Sequence, residues 1–459
     1  MIKVIVAQFK NSYKQWGGVL ALLSISAVMI GFCFNGSVSV FSLSKQTFLN
    51  AHNPLPIFIL PLVFGGITLI IISSGVIKLA IVSLQKEYVL WSLLGTSPLQ
   101  LTLLIGGQLF LIGSVSGIIG YILSLPLGNF LYSILQKIVG KSWLPSIPMN
   151  PSLIAIFITI LLTAMLAFVC GFIHANSIFK EVGILRGKEK HSHDIGFIVK
   201  VLIIVGCLFL LFKNYTALSF ASKGIQAIIA KGQVLHAASF YVANLLSIAL
   251  LLMILFGLTA KEILPFLIHA LFITPFGHKV TGPKIAGRML IYQKHYLGSL
   301  IVPFIITSIL LTDTLFMTLG IPGNNGAQNS SGTLVTFIVY VAAPLIIVLA
   351  NIFSMMLMVT NKEQQINHQL RILGTNTTQL VATVFYKAFI CGIVTVIWGA
   401  LFNSILYLAL YKISLLVRSP AKLNIWSILY FPVASSILSF SFILMIGCYS
   451  ITKSHHLRE

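Results

Sequence analysis

Few residues of this chain are equipped for chemistry, and one stands apart. Asp313 is the only acidic residue inside a long apolar run, "SLIVPFIITSILLTDTLFMTLG". A carboxyl group in hydrocarbon is costly enough that such residues default to a functional role, lining a substrate or ion path. The alternative is a residue near the headgroups, satisfied by Thr312, Thr314 or water. Lys387 is the one basic residue placed comparably. His191 with His193, and His455 with His456, lack the Cys or carboxylate cluster that would complete a metal site, and they read as solvated loop. "GKS" at Gly140–Ser142 looks like the end of a phosphate-cradling Walker A loop, yet Leu135 stands where its first glycine is required. No Ser-His-Asp or paired-carboxylate constellation assembles on one side of a membrane. No enzyme activity, metal or cofactor is therefore expected of this chain.

The elements that must position these residues are membrane spans. Of 459 residues, 58% are hydrophobic and 8% charged, with mean hydropathy +1.01; a soluble domain is about 25% charged. Ten apolar runs reach the ~20 residues that a helix needs to cross a bilayer: 16–34, 55–84, 101–128, 152–176, 195–212, 237–258, 298–320, 335–360, 379–404 and 426–450. The short alternating segments of a membrane β-barrel are missing. The expected fold is an all-α polytopic membrane protein. Pro56, Pro61, Pro126, Pro303 and Pro344 are tolerable inside such helices because neighbouring groups re-satisfy the freed backbone. The basic start "MIKVIVAQFKNSYKQ" has no small-residue cleavage site after its apolar run, so the first span is expected to be retained. The five cysteines all fall in apolar runs without a CxxC and read as small buried hydrophobes.

The formal charge of +21 would suggest nucleic acid in a soluble protein. Here it reflects topology and contact with anionic headgroups, and no nucleic-acid partner is expected. With the N-terminus inside, most Lys and Arg residues fall at inner span ends, which predicts both termini to be cytoplasmic. The outer loops carry nine basic residues and no acids. They are too short for a folded domain, which rarely falls below ~50 residues. The segments "NFLYSILQKIVGKSW" and "YLALYKISLLVRSPAKLNIW" are amphipathic, basic and aromatic, and are expected to lie in the outer interface.

A repeat organises the spans. "LLGTSPLQL" (Leu93–Leu101) returns as "ILGTNTTQL" (Ile372–Leu380), and "KQWGGVL" (Lys14–Leu20) returns as "KHYLGSL" (Lys294–Leu300) in nearly the same register. Spans one to four thus form one half (1–190) and spans seven to ten another (270–459), with spans five and six as an inserted hairpin (191–269). An even number of intervening spans makes the halves parallel repeats. The polar knuckle follows span two in "SLQKEYVLWSLLGTSPLQL", where helical spacing of leucines and aromatics describes a short surface helix ended by Gly95. Ser97-Pro98 starts the next helix, as Asn376-Thr377-Thr378 does after Gly374. A plain re-entry turn between membrane helices and a knob for a partner are both compatible with this spacing.

The knuckle resembles the signature of the FtsX-like permeases, the MacB/LolCDE/BceB class of ABC transporters, which runs roughly "RxREIxxLRALGAsxxQi" before a Gly-rich span. Glu87 lies eight residues before Gly95, as the signature's Glu does, and Leu94, Gly95 and Thr96 stand for its "LGA". Leu373, Gly374 and Thr375 do so in the second copy, where Ile366 occupies the Glu position and Glu363 lies three residues earlier. "ANSIFKEVGILRGKEK" (Ala175–Lys190) resembles the family's "SPVEALRG" ending. The signature's arginines are replaced by Gln85 and Lys86 in that stretch, and the family's usual large extracellular domain has no counterpart in the loops.

What the resemblance implies is a permease subunit in a bacterial plasma membrane, whose coupling residues Glu87, Leu94, Gly95, Thr96, Glu363, Leu373, Gly374 and Thr375 dock a separate cytoplasmic ATPase, two copies per permease. ATP and Mg would be held by that ATPase, and the spans would act as levers. The ten-span layout is most similar to the peptide-antibiotic resistance permeases. An antimicrobial peptide or bacteriocin is the first expected substrate; lipid or lipoprotein handling, a non-transporting signalling subunit and a secondary transporter are the alternatives. The basic outer loops favour an amphiphilic or anionic ligand over a strongly cationic one.

Overall fold

The structure, a computed structural model, describes residues 2–42, 54–93, 95–140, 144–147, 149–181, 190–218, 234–270, 281–320, 330–372, 374–416 and 423–456. Among them are twelve α-helices and no strand: α1 (Ile2–Ser42), α2 (Leu55–Ser83), α3 (Gln85–Leu93), α4 (Pro98–Val139), α5 (Leu153–Glu181), α6 (Lys190–Ala217), α7 (Val234–Ile268), α8 (Thr281–Tyr292), α9 (Lys294–Leu315), α10 (Ser330–Ile372), α11 (Thr377–Leu416) and α12 (Ser427–His456). Ten of them, all but α3 and α8, are long and apolar enough to cross a membrane. The chain is an all-α, multi-pass membrane protein. Its helices divide between two compact units, 1–190 with 338–366, and 191–337 with 367–459.

In the first unit α1, α4 and α5 pack closely, and α2 lies against α1 and α5. Apolar contact with lipid is as good as apolar contact with protein, so small residues that let backbones approach decide which helices meet. A Cβ on Gly113 of α4 would fall 2.8 Å from Ala164 Cα and from the Thr163 carbonyl of α5. The Thr163 hydroxyl donates to the Gly113 carbonyl at 3.1 Å. Gly120 fits against α1, where a Cβ would meet the Ser24 carbonyl at 2.6 Å. Residues 338–366 of α10 belong to this unit, with Met358 and Ser354 against Gly18. Gly120→Val forces α1 from α4 and is expected to cost about 1–3 kcal/mol. A lowered midpoint of thermal unfolding in detergent checks it, with Gly17→Val, at a site open to space, as the near-neutral control.

In the second unit α9 is enclosed by α7, α11 and α12, and most of span seven is buried. The register that relates the two knuckles carries Gly113 onto Gly392 and Gly120 onto Gly399. The contacts follow. The Ser436 hydroxyl of α12 donates to the Gly392 carbonyl at 2.9 Å, as Thr163 does to Gly113. Gly399 packs on Pro432 and Ser308. The repeat is thus one of packing as well as of sequence. The hairpin helices α6 and α7 sit in this unit: Lys200 pairs with Glu262 between them, and Lys412 of α11 caps the Tyr215 carbonyl at 2.8 Å while lying over its ring.

Two differences from the sequence reading have physical causes. The segments expected to lie in the outer interface instead continue α4 to Val139 and α11 to Leu416 without a break. A helix of about forty residues is ~60 Å long, twice the hydrocarbon thickness, so it can continue without a turn and still cross the bilayer. The halves also break at different places. The knuckle helix of the first half is cut from α2 at Leu84 (φ −94, ψ 1), whereas α10 runs unbroken through the matching residue, Glu363. Conversely α1 is unbroken, while its counterpart is cut into α8 and α9 at Gln293.

Candidate functional site

The two knuckles are the same object built twice. At the first, Gly95 adopts φ +91, a left-handed conformation that costs an L-residue roughly 1–2 kcal/mol and a glycine little. Its N–H donates to the Ser92 carbonyl at 3.0 Å, and the Thr96 N–H reaches back to the Trp91 carbonyl at 3.3 Å. This pair of bonds is the Schellman ending of a helix. The Ser97 N–H then donates to Gln100 Oε1 at 3.0 Å, and the Gln100 N–H to Ser97 Oγ at 3.3 Å, a capping box that starts α4.

At the second, Gly374 has φ +90. Its N–H donates to Arg371 at 3.0 Å, and the Thr375 N–H to Leu370 at 3.1 Å. The Asn376 N–H donates to Gln379 Oε1 at 3.1 Å, and Asn376 Oδ1 accepts from the Thr377 N–H at 2.7 Å. Leu373 and Leu94 lie outside the described residues, as does segment 182–189 with the family-like ending; His191 and His193 fall in the first turn of α6 and His455 and His456 at the end of α12, rather than in loops as the sequence suggested, because the helices extend past the apolar runs.

The surroundings differ. On the first knuckle Leu90, Leu93 and Leu99 are exposed, Leu93 to 78%, and Glu87 faces outward. Tyr88 anchors the helix from beneath, buried and edge-on to Phe179 of α5 at 6.1 Å between ring centres. Burial, with the Glu87 carboxylate beside it, pushes the Tyr88 hydroxyl above its ordinary range. In the second knuckle Asn367 takes the place of Tyr88, and its amide donates to Ser450 Oγ of α12 at 2.8 Å. Ile372 is exposed to 72%, but Glu363 is buried. Of the two acidic residues named from the signature, only Glu87 is presented at a surface. Polar anchoring replaces aromatic anchoring, and one exposed aliphatic replaces three.

Asp313 lies on α9, in the second unit. It is 1% exposed, and its Oδ1 has no hydrogen-bond partner among the described residues. Of the groups that an interfacial location would use, the Thr314 hydroxyl donates to the Leu310 carbonyl at 3.0 Å and that of Leu311 at 2.9 Å, while Thr312 Oγ1 accepts from Asn403 of α11 at 2.6 Å. Asn403 Nδ2 also donates to the Ile428 carbonyl at 3.2 Å, and its Oδ1 is buried without a partner. A five-residue π-helical turn, Phe316–Gly320, follows at once, a local geometry frequent at functional sites. Sequence reasoning missed Asn403, although Ser308 and Thr312 at i, i+4 mark the polar stripe it meets. Lys387, on α11, is buried too.

Comparison with protein-family models, curated proteins and solved structures finds no match for this chain.

Proposed function

We propose that this chain is the membrane subunit of an ABC transporter of the FtsX-like type, coupling ATP hydrolysis by a separate cytoplasmic ATPase to export or removal of an amphiphilic substrate. The observation that supports this best is the knuckle itself, whose backbone bonds and positive-φ glycine repeat at the ends of α3 and α10. A re-entry turn needs no exposed leucines. A knob that docks in a partner's groove does, since apolar anchors supply the affinity of such contacts. On this reading the knuckles and both termini are cytoplasmic, the membrane is a bacterial plasma membrane, and ATP and Mg reside on the partner.

The chain's part is mechanical. ATPase closure draws the knobs together, and the helices that carry them move as levers. Resistance to an antimicrobial peptide or bacteriocin is the first substrate reading. Lipid or lipoprotein handling is the second, and the apolar cavity described below favours it.

Two parallel halves offer two knobs on one polypeptide, so one permease is expected to hold two ATPase copies. Native mass spectrometry of the chain co-expressed with a candidate partner ATPase decides the count. A complex of two permeases with two ATPases overturns the single-chain assembly, and a permease that retains no ATPase overturns the coupling role.

A further inference from the structure

We propose that the first unit binds the alkyl chain of an anionic amphiphile at the end distal to its knuckle. A cavity of about 120 Å³ lies there between α1, α2, α4 and the 338–346 stretch of α10. Every side chain that lines it is apolar, among them Phe32, Ile57, Leu131, Ile134, Ala342 and Ile346. Leu131, Ile134 and Ile346 are also substantially exposed, so the cavity opens sideways through an apolar rim. A space with no polar partner stays dry, and its volume suits a few methylene groups but no headgroup. An ionic or peptidic group would enter unsatisfied.

Chain burial alone does not select an occupant, because lipid tails lose nothing by staying in the bilayer. Selection has to come from the headgroup. Lys137 is exposed one helical turn beyond Ile134 on α4, towards the distal end, and i, i+3 residues are neighbours on a helix surface. Lys141 follows in the sequence, and no acidic residue lies between Glu87 and Glu181. An anionic head beside Lys137 with its chain in the cavity matches both features. A cationic or zwitterionic head matches only the cavity. The inference rests on these residues and does not require the ATPase-coupling reading.

The test is lipid retention by the full chain in native mass spectrometry, titrated with dioleoyl phosphatidylglycerol or dioleoyl phosphatidylcholine. Phosphatidylglycerol is expected to be retained preferentially. Lys137→Gln is expected to lower its retention about fivefold, the effect of about one surface-proximal cationic charge, and to leave phosphatidylcholine unchanged. Ala342→Phe, which fills the cavity, is expected to lower both. Elution volume and unfolding midpoint report on folding, and the exposed Lys137 site keeps the test valid if the filled variant misfolds. Added dodecyl phosphate separates the sources: displacement of phosphatidylglycerol indicates a site open to free amphiphiles, and retention indicates a resident bilayer lipid. Equal retention of the two lipids by the wild type, or no change in Lys137→Gln, overturns the proposal.

Discussion

Gly95→Pro is expected to reduce substrate-stimulated ATPase activity of the proposed permease–ATPase complex by more than about tenfold, with Gly374→Pro acting in the same direction. Proline fixes φ near −65° and has no N–H. Gly95 sits at φ +91 and Gly374 at φ +90, and each N–H closes the helix end at 3.0 Å. The substitution therefore both forbids the turn and deletes a bond of the Schellman pair, which costs on the order of 3 kcal/mol in comparable helix positions. A turn that cannot close swings Leu93 and Leu99 away from the places they hold on either side of Gly95. Gly95→Ala, strained by only about 1–2 kcal/mol, is expected to lie between proline and wild type. No Cβ clash complicates the comparison, since space is open at both glycines. ATPase activity and co-purification unaffected by either proline would reduce the knuckles to re-entry turns.

The knobs are not interchangeable, and the asymmetry orders these effects. The first is a nine-residue helix joined to α2 by the break at Leu84 and held from below by Tyr88 on Phe179. The second is the end of a 43-residue helix pinned by Asn367 to Ser450. Under the proposed coupling role, force on the first knob would be absorbed at a joint, and force on the second would pass along the unbroken α10. Damage at Gly95, where three leucines are displayed, is expected to weaken docking. Damage at Gly374 is expected to weaken transmission while leaving more of the docking intact. Binding affinity and stimulated turnover, measured on the same pair of variants, separate the two.

The spans were legible because twenty apolar residues in a row have few alternatives, and the knuckles because a glycine that must take positive φ leaves a fixed mark in the sequence. The cap residues at Ser97 and Asn376 were readable for the same local reason. What sequence alone did not reveal depends on distant partners. Nothing in "SLQKEY" announces that the helix breaks at Leu84 while the matching Glu363 continues it. The burial of Glu363, the meeting of Asn403 with Thr312 and the placement of 338–366 in the first unit are likewise tertiary facts. The unbroken continuation of α4 to Val139 and of α11 to Leu416 is also hidden from the sequence, because amphipathic composition alone does not distinguish a separate interfacial helix from the extension of a span.

Asp313→Leu is expected to separate stability from function. A buried carboxyl oxygen without a hydrogen bond carries a desolvation penalty of about 1–3 kcal/mol, and Asp313 Oδ1 is in that condition. If the group served only the fold, a chain under selection for stability would gain by losing it. Leucine has the same branched outline, though larger methyl groups, and needs no partner, so the unfolding midpoint in detergent is expected to stay level or rise. Transport, or resistance in cells that carry the proposed complex, is expected to fall about tenfold or more, because an ionisable group buried within a span defaults to substrate or ion contact. Asp313→Asn keeps the shape and one acceptor oxygen while removing the acid. Activity that survives in Asn and fails in Leu identifies the oxygen as the working atom; loss in both identifies the acid. A Leu variant that folds normally and transports like wild type ends the functional reading of Asp313, and one that unfolds at lower temperature assigns the carboxyl to the packing of α9.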